Sequence, residues 1–256
     1  MDGMSEVDAC AIAARVAAVR ARIFETAERL GRDPATVTLV AVSKTQPAAV
    51  IRAAFAAGVR VFGENYVQEA VAKQEQLTDL PVEWHFIGPI QRNKTRAIAA
   101  AFDWVHSLDR LEVAKRFAEQ RDPKRGPLNV MVQVNVSGEA SKAGVAPETV
   151  VALVKAVARL PRLQVVGLMT IPEPSADPPL LARRFRTVRE LRDTLQREGL
   201  PVWALSMGMS SDWPVALAEG ATHLRIGSAL FGPRPPKTSR REGGEDASGK
   251  GAKACG

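Results

Sequence analysis

The chain has 256 residues, 46% hydrophobic and only 5% aromatic, which suits one large α/β barrel or two small domains with a core of small aliphatic side chains. Its formal charge is +7, but residues 234–256 hold six Lys/Arg against three Asp/Glu and the remaining +4 is dispersed, a solubility feature and not a nucleic-acid footprint. No apolar run reaches the roughly 18 residues of a membrane span, and the acidic start MDGMSEVDAC lacks the pattern of a signal peptide. Cys10 and Cys255 stand near opposite ends with no Cys or His at metal-ligand spacing, so no disulfide and no metal site are expected, and a reducing cytoplasm is.

The segment Val7 to Leu30 has helical periodicity and stops at Gly31, a suitable C-cap. Short β-branched runs then alternate with Ala-rich helical runs. Strand TVTLVAV (36–42) precedes a helix over 47–58, and strand VRVFG (59–63) precedes a helix near 66–77. VEWHFIG (82–88) is followed by a helix from about Asn93, and WVHSL (104–108) by a helix over 109–120. LNVMVQVNV (128–136) leads to a helix over 147–160, and QVVGLMTI (164–171) to one near 180–198. VWALSMG (202–208) leads to a short helix over 212–220, and HLRIGSALFG (223–232) closes the series. Eight strand–helix units predict a parallel sheet closed into a single (β/α)8 TIM barrel. An open doubly wound sheet would need a Gly-rich first turn, and here that turn is SKTQP. The predicted organisation is an N-terminal helical segment over 1–35, a barrel over 36–233 and a disordered tail over 234–256, rich in Pro, Gly and charge.

In such barrels the active site lies at the C-terminal strand ends. Lys44 follows the apolar run LVAV, and the period of two puts it on the face of Val42. Burial in a barrel mouth would lower its pKa and free the amine to attack an aldehyde; the ordinary alternative is a lysine reaching out to solvent. After strand eight, Gly227 lets the backbone approach a ligand, and Ser228 offers an N–H and a hydroxyl, with Ser206 and Gly208 from strand seven alongside. Barrels often bind phosphate there, although a glycine required by packing explains Gly227 equally well. Arg225 shares the inward face of Gly227 and needs a partner, either a carboxylate or a ring nitrogen. A lysine, a phosphate cup and an inward arginine together describe a pyridoxal phosphate site.

The blocks LVAVSKTQP, VFGENYVQE, WHFIGPIQRNK, VHSLDR, QVNVSGEASKAGV, GLMTIP, LSMGMSSDW and HLRIGSALFG occur in that order from about residue 37 to 233. By these blocks the chain resembles the pyridoxal phosphate homeostasis protein family (YggS/PROSC type), whose fold is the alanine racemase barrel, fold type III among pyridoxal phosphate proteins. The resemblance implies that Lys44 is the Schiff-base lysine and that Arg225 faces the pyridine nitrogen. It also implies that Ser206, Gly227 and Ser228 bind phosphate, and that Asn65 lines the cofactor pocket. His223 departs from the family, which often has an apolar residue there.

Two classes of function follow: a carrier that holds and delivers pyridoxal 5′-phosphate, or an amino-acid enzyme such as a racemase. A cofactor-free lysine aldolase would leave the phosphate cup and Arg225 without a ligand. Family racemases draw a second base, a tyrosine, from an additional domain; here the single tyrosine is Tyr66. An arginine at the ring nitrogen also weakens the ring as an electron sink. His106 stands near a strand end and is read as a hydrogen-bonded core histidine. The carrier is therefore expected, as a monomer with no nucleic acid or membrane partner, delivering its cofactor to apo-enzymes.

Overall fold

The computed structural model describes residues 8–138 and 143–232. The expected disordered tail over 234–256 and residues 1–7 lie outside the described residues. Eight parallel strands close into a barrel in sequence order: β1 (Thr38–Val42), β2 (Val61–Glu64), β3 (Glu83–Phe86), β4 (Trp104–Leu108), β5 (Leu128–Gln133), β6 (Leu163–Met169), β7 (Ala204–Ser206) and β8 (His223–Ile226). Around it run α2 (Ala48–Ala56), α3 (Val67–Glu75), α4 (Thr95–Ala101), α5 (Leu111–Gln120), α6 (Val150–Ala158), α7 (Pro178–Arg197) and α8 (Trp213–Ala218).

The helix α1 (Ala9–Arg29) precedes the barrel. Asp8 caps it by accepting from the Ala11 N–H at 2.8 Å, and Gly31 ends it at φ +65°. Ile12, Val16, Val19, Ile23 and Ala27 form its buried stripe, and it rests on α2, α8 and α9 (Ser228–Phe231). Each of the four larger side chains in that stripe is worth roughly 1.5–3 kcal/mol relative to exposure.

Several strands are shorter than the hydrophobic runs that announce them. Residues 34–36 form a 3-10 turn capped by Asp33, so β1 begins at Thr38. β5 stops at Gln133, and Val134 makes one isolated bridge to Val145. The run 223–232 divides into β8 and the single turn α9, with Gly227 between them.

Alternation along the strands sorts the side chains. Phe62, Phe86, Val105, Leu205, Leu224 and Ile226 belong to the main apolar core, between sheet and helices. Met131, Val166, Met169 and Ala204 form a separate small cluster with Trp104 packed against it, on the opposite, inward face. That inward face also carries polar side chains: His85, His106, Ser206, His223 and Arg225 are all buried.

Candidate functional site

At the C-terminal strand ends lies a cleft lined by Val42, Lys44 and Gln46 at and after the end of β1, Asn65 after β2, Met209 and Ser210 after β7, and Arg225, Gly227 and Ser228 on β8 and α9. Ile87, Ile171 and Phe231 supply its apolar walls. Lys44 and Arg225 are its charged lining residues, and among the described lining residues there is no carboxylate.

Lys44 sits in a tight turn closed by the Gln46 N–H donating to the Ser43 carbonyl at 3.0 Å. Thr45 occupies the left-handed region at φ +67°, which is strained for a β-branched residue. A buried ionic network grips this turn on both sides. Lys73 Nζ donates to the Ser43 carbonyl (2.8 Å), to Glu64 Oε1 (2.7 Å) and to Glu69 Oε1 (2.5 Å). The same Glu69 oxygen accepts from the Thr45 N–H at 2.5 Å, and Ser43 Oγ donates to Glu64 Oε1 at 2.7 Å. Burial raises the Glu64 carboxyl pKa, opposed by Lys73 and by the Ser43 hydrogen bond.

Arg225 faces the cleft from β8. It donates to Ser206 Oγ (2.5 Å) and to the Thr170 carbonyl (2.8 Å), and among the described residues no carboxylate forms an ion pair with it. Burial lowers its pKa to about 10, with Asp212 opposing from a distance. Asp212 Oδ1 accepts from the Met209 N–H at 2.6 Å and so shapes the loop that carries Ser210. The Ser210 and Ser228 hydroxyls approach each other to 3.3 Å. A Cβ on Gly227 would stand 3.2 Å from the Val42 carbonyl oxygen, inside the cleft wall. Gly88 lets another close approach occur: a Cβ there would lie 2.3 Å from the Asn65 carbonyl oxygen. Asn65 Oδ1 is buried with no hydrogen-bond partner.

The structure thus brings Lys44, Asn65, Arg225, Gly227 and Ser228 to one cleft. Ser206 is placed differently. It is fully buried, does not line the cleft, and its hydroxyl lies between Arg225 and His106. Ser210 takes the place at the lining, a residue the period of two cannot assign because β7 ends at Ser206. His106 is a core histidine with both ring nitrogens hydrogen-bonded, as expected. Tyr66 is 56% exposed and is not a lining residue. Sequence reasoning missed the Glu64–Glu69–Lys73 network, whose one visible trace is the Glu69–Lys73 spacing of four on a helix. Among the described residues no helix is long and apolar enough to cross a membrane.

The family described as alanine racemase, N-terminal domain, matches residues 14–235. The "Pyridoxal phosphate homeostasis protein" of Pseudomonas aeruginosa is 59% identical over 87% of this chain and 96% of its own length. That of Escherichia coli K12 is 46% identical over 87% of this chain and 97% of its own. The structure of PipY from Synechococcus elongatus "with PLP bound" is 41% identical, with a TM-score of 0.76 over 86% of this chain and all of that one. Alanine racemase from Corynebacterium glutamicum, 20% identical with a TM-score of 0.65 over 88% of this chain and 62% of that one, shares the fold. With its barrel and its matches along nearly the whole length, the chain belongs to the pyridoxal phosphate homeostasis protein family.

Proposed function

We propose that this chain binds pyridoxal 5′-phosphate in the cleft over Arg225 and serves intracellular homeostasis of that cofactor as a carrier and buffer. The observation that carries this reading is the charge of the lining: a lysine and an arginine, with no carboxylate among the described lining residues. Such a site favours an anion that also offers an aldehyde. The buried, unpartnered Asn65 Oδ1 and the crowded Gly227 wall fit a planar ligand with polar edges.

Lys44 holds the aldehyde end, Ser210, Ser228 and the Gly227 backbone hold the phosphate end, and Arg225 meets the ring nitrogen. When bound, the cofactor supplies an aldehyde that condenses with an amine with loss of one water. Ser206 is assigned to positioning Arg225 and not to phosphate, because its hydroxyl is already engaged. A guanidinium is a donor only, so the nitrogen it meets must accept and stays unprotonated, a weak electron sink. Both nitrogens of His106 are engaged and Tyr66 is outside the lining, so no second base accompanies Lys44 among the described lining residues. The carrier reading rests on these features. We assign the protein to the cytoplasm as a monomer that passes its cofactor to apo-enzymes.

The test is direct. The purified protein mixed with pyridoxal phosphate gains a visible absorbance that hydroxylamine removes, and it reactivates an apo-enzyme acceptor slowly. Racemase, decarboxylase and transaminase activities stay near background over an amino-acid panel. A turnover above roughly 1 s⁻¹, the low end of ordinary enzymes, on any amino acid replaces the carrier with an enzyme.

Gly227 supplies a sharper probe of orientation. A valine there pushes its side chain against Val42 beside Ser228. Charge-assisted hydrogen bonds are worth roughly 1.5–3 kcal/mol. Gly227→Val therefore weakens pyridoxal phosphate by about 10- to 150-fold while pyridoxal, which lacks the phosphate, changes little. Calorimetric titration with both ligands checks this, and equal losses for the two place the phosphate elsewhere.

A further inference from the structure

The barrel interior beneath the cleft holds more polar groups than packing requires. From Arg225 a continuous line of contacts descends away from the cleft. Arg225 Nη1 reaches Ser206 Oγ at 2.5 Å, and Ser206 Oγ lies 2.8 Å from His106 Nδ1. His106 Nε2 lies 2.8 Å from His85 Nδ1, and His85 Nε2 lies 2.7 Å from Glu83 Oε1. Ser206, His106 and His85 are fully buried, whereas the Glu83 side chain is 46% exposed, at the start of β3 on the opposite rim of the barrel. We infer that Ser206, His106, His85 and Glu83 form a one-way hydrogen-bond series that positions the Arg225 guanidinium and ties it to a carboxylate across the barrel.

The direction follows from counting protons. Arg225 donates and cannot accept, so Ser206 Oγ accepts from it. The Ser206 hydroxyl has one hydrogen, and of its two side-chain partners only His106 can take it. With Glu83 accepting at the far end and both rings neutral, His106 Nδ1 is the acceptor. Burial lowers the pKa of His106 and of His85, which keeps both rings neutral. A neutral ring accepting at Nδ1 carries its proton on Nε2. His106 thus donates to His85 Nδ1, and His85 donates from Nε2 to Glu83. The His85 hydrogen bond holds the Glu83 carboxyl below its ordinary pKa, so it is ionised and accepts. Every link then points from the cation to the anion, an arrangement in which each bond polarises the next.

The surroundings hold this order in place. His85 is stacked on Trp104 with centroids 5.0 Å apart. His223 packs beside both rings, 5.9 Å from His106 and 6.1 Å from His85. Its own Nδ1 is bonded to Thr222 Oγ1 at 2.8 Å, so it stands outside the series. Asp103, the other carboxylate acting on His85, is itself engaged by the Trp84 N–H and by Arg125. Arg225 forms no ion pair with a carboxylate among the described residues, and the series supplies an oriented acceptor in place of one. Its effect on a ligand rests on the proposed binding of pyridoxal phosphate; the series itself does not.

Nitrogen-15 NMR of the imidazoles in the ligand-free protein near pH 7 tests the direction. His85 and His106 are expected neutral, each with its proton on Nε2. A proton on Nδ1 of either ring, or an imidazolium, overturns the series. Glu83→Leu, at a partly exposed position, tests the coupling. It should move the His106 and Arg225 nitrogen signals, although Glu83 touches neither, and weaken pyridoxal phosphate by roughly 2- to 30-fold, the range of coupling through such networks. Glu83→Gln, whose amide oxygen still accepts, should restore most of that loss. If Glu83→Leu leaves both the His106 signals and the affinity at wild-type values, the series carries no coupling and the inference fails. If the wild-type protein takes up no pyridoxal phosphate, the ligand assignment fails and the tautomers alone decide the series.

Discussion

Lys44→Ala is expected to abolish covalent attachment of pyridoxal phosphate without unfolding the barrel. After incubation with the cofactor and borohydride reduction, the intact mass of the wild-type protein should rise by one cofactor and that of the variant should not. Among the described residues Lys44 is the lysine of the cleft lining. Lys73, its neighbour across the turn, has its ammonium in contact with two carboxylates and a carbonyl, all close to 2.5–2.8 Å. Its hydrogens are committed to those three oxygens and it is not among the described lining residues, so it offers no amine to the cofactor. Stability should hardly change, because the turn is held through its backbone: the Ser43 carbonyl and the Thr45 N–H are the gripped groups. Substitutions of this kind shift stability by about 0.5 kcal/mol, or about 1–2 °C in Tm for a domain of this size. A wild-type level of adduct in Lys44→Ala would move the attachment site to another lysine.

How far such a site is legible in a sequence depends on which geometry each signal encodes. Strand–helix alternation is a local property, and eight repeats leave few ways to bury the apolar faces, so the closed barrel could be read directly. The period of two carried Val42 and Lys44, and Arg225 and Gly227, onto the inward face, and each pair lines the cleft. Parity says nothing of depth, however. Ser206 shares that inward face, yet in register it pairs with His223, one layer beneath Arg225. It therefore meets the arginine from below. Ser210 was hidden for another reason: it lies in a loop shaped by Asp212 and by Gly208 at φ +94°, where strand periodicity has ended. The hydrogen-bond series from Arg225 to Glu83 needs four strands in register and is visible only once the barrel is closed. The Glu64–Lys73 contact joins the end of β2 to the last turn of α3, a pairing set by how the helix folds back on the sheet.

That contact yields the largest expected effect on stability. Lys73→Met keeps the length and the apolar stem of the side chain but leaves Glu64 fully buried without its cation. Breaking one partner of a buried pair costs roughly 3–5 kcal/mol, on the order of 10 °C in Tm for a domain of this size. The variant also releases the Ser43 carbonyl and the Glu69 carboxylate that hold the Lys44 turn, so cofactor uptake should slow as well. The pH dependence identifies the cause. The folded-state pKa of Glu64 is already raised by burial, and losing Lys73 raises it further, since the cation was opposing that rise. A carboxyl with a raised folded pKa binds more protons folded than unfolded, so its contribution is fully present below the unfolded pKa and is lost as pH rises through the folded one. The gap between variant and wild type should accordingly narrow as pH falls toward the ordinary glutamate range near 4.3, and widen toward neutrality. Glu64→Gln added to Lys73→Met should recover a large part of the loss at pH 7, because the unpaired charge is gone. Urea denaturation of the two variants and the wild type between about pH 5 and pH 8 measures this; a pH-independent gap, unrelieved by Glu64→Gln, would trace the loss to packing and not to the buried carboxylate.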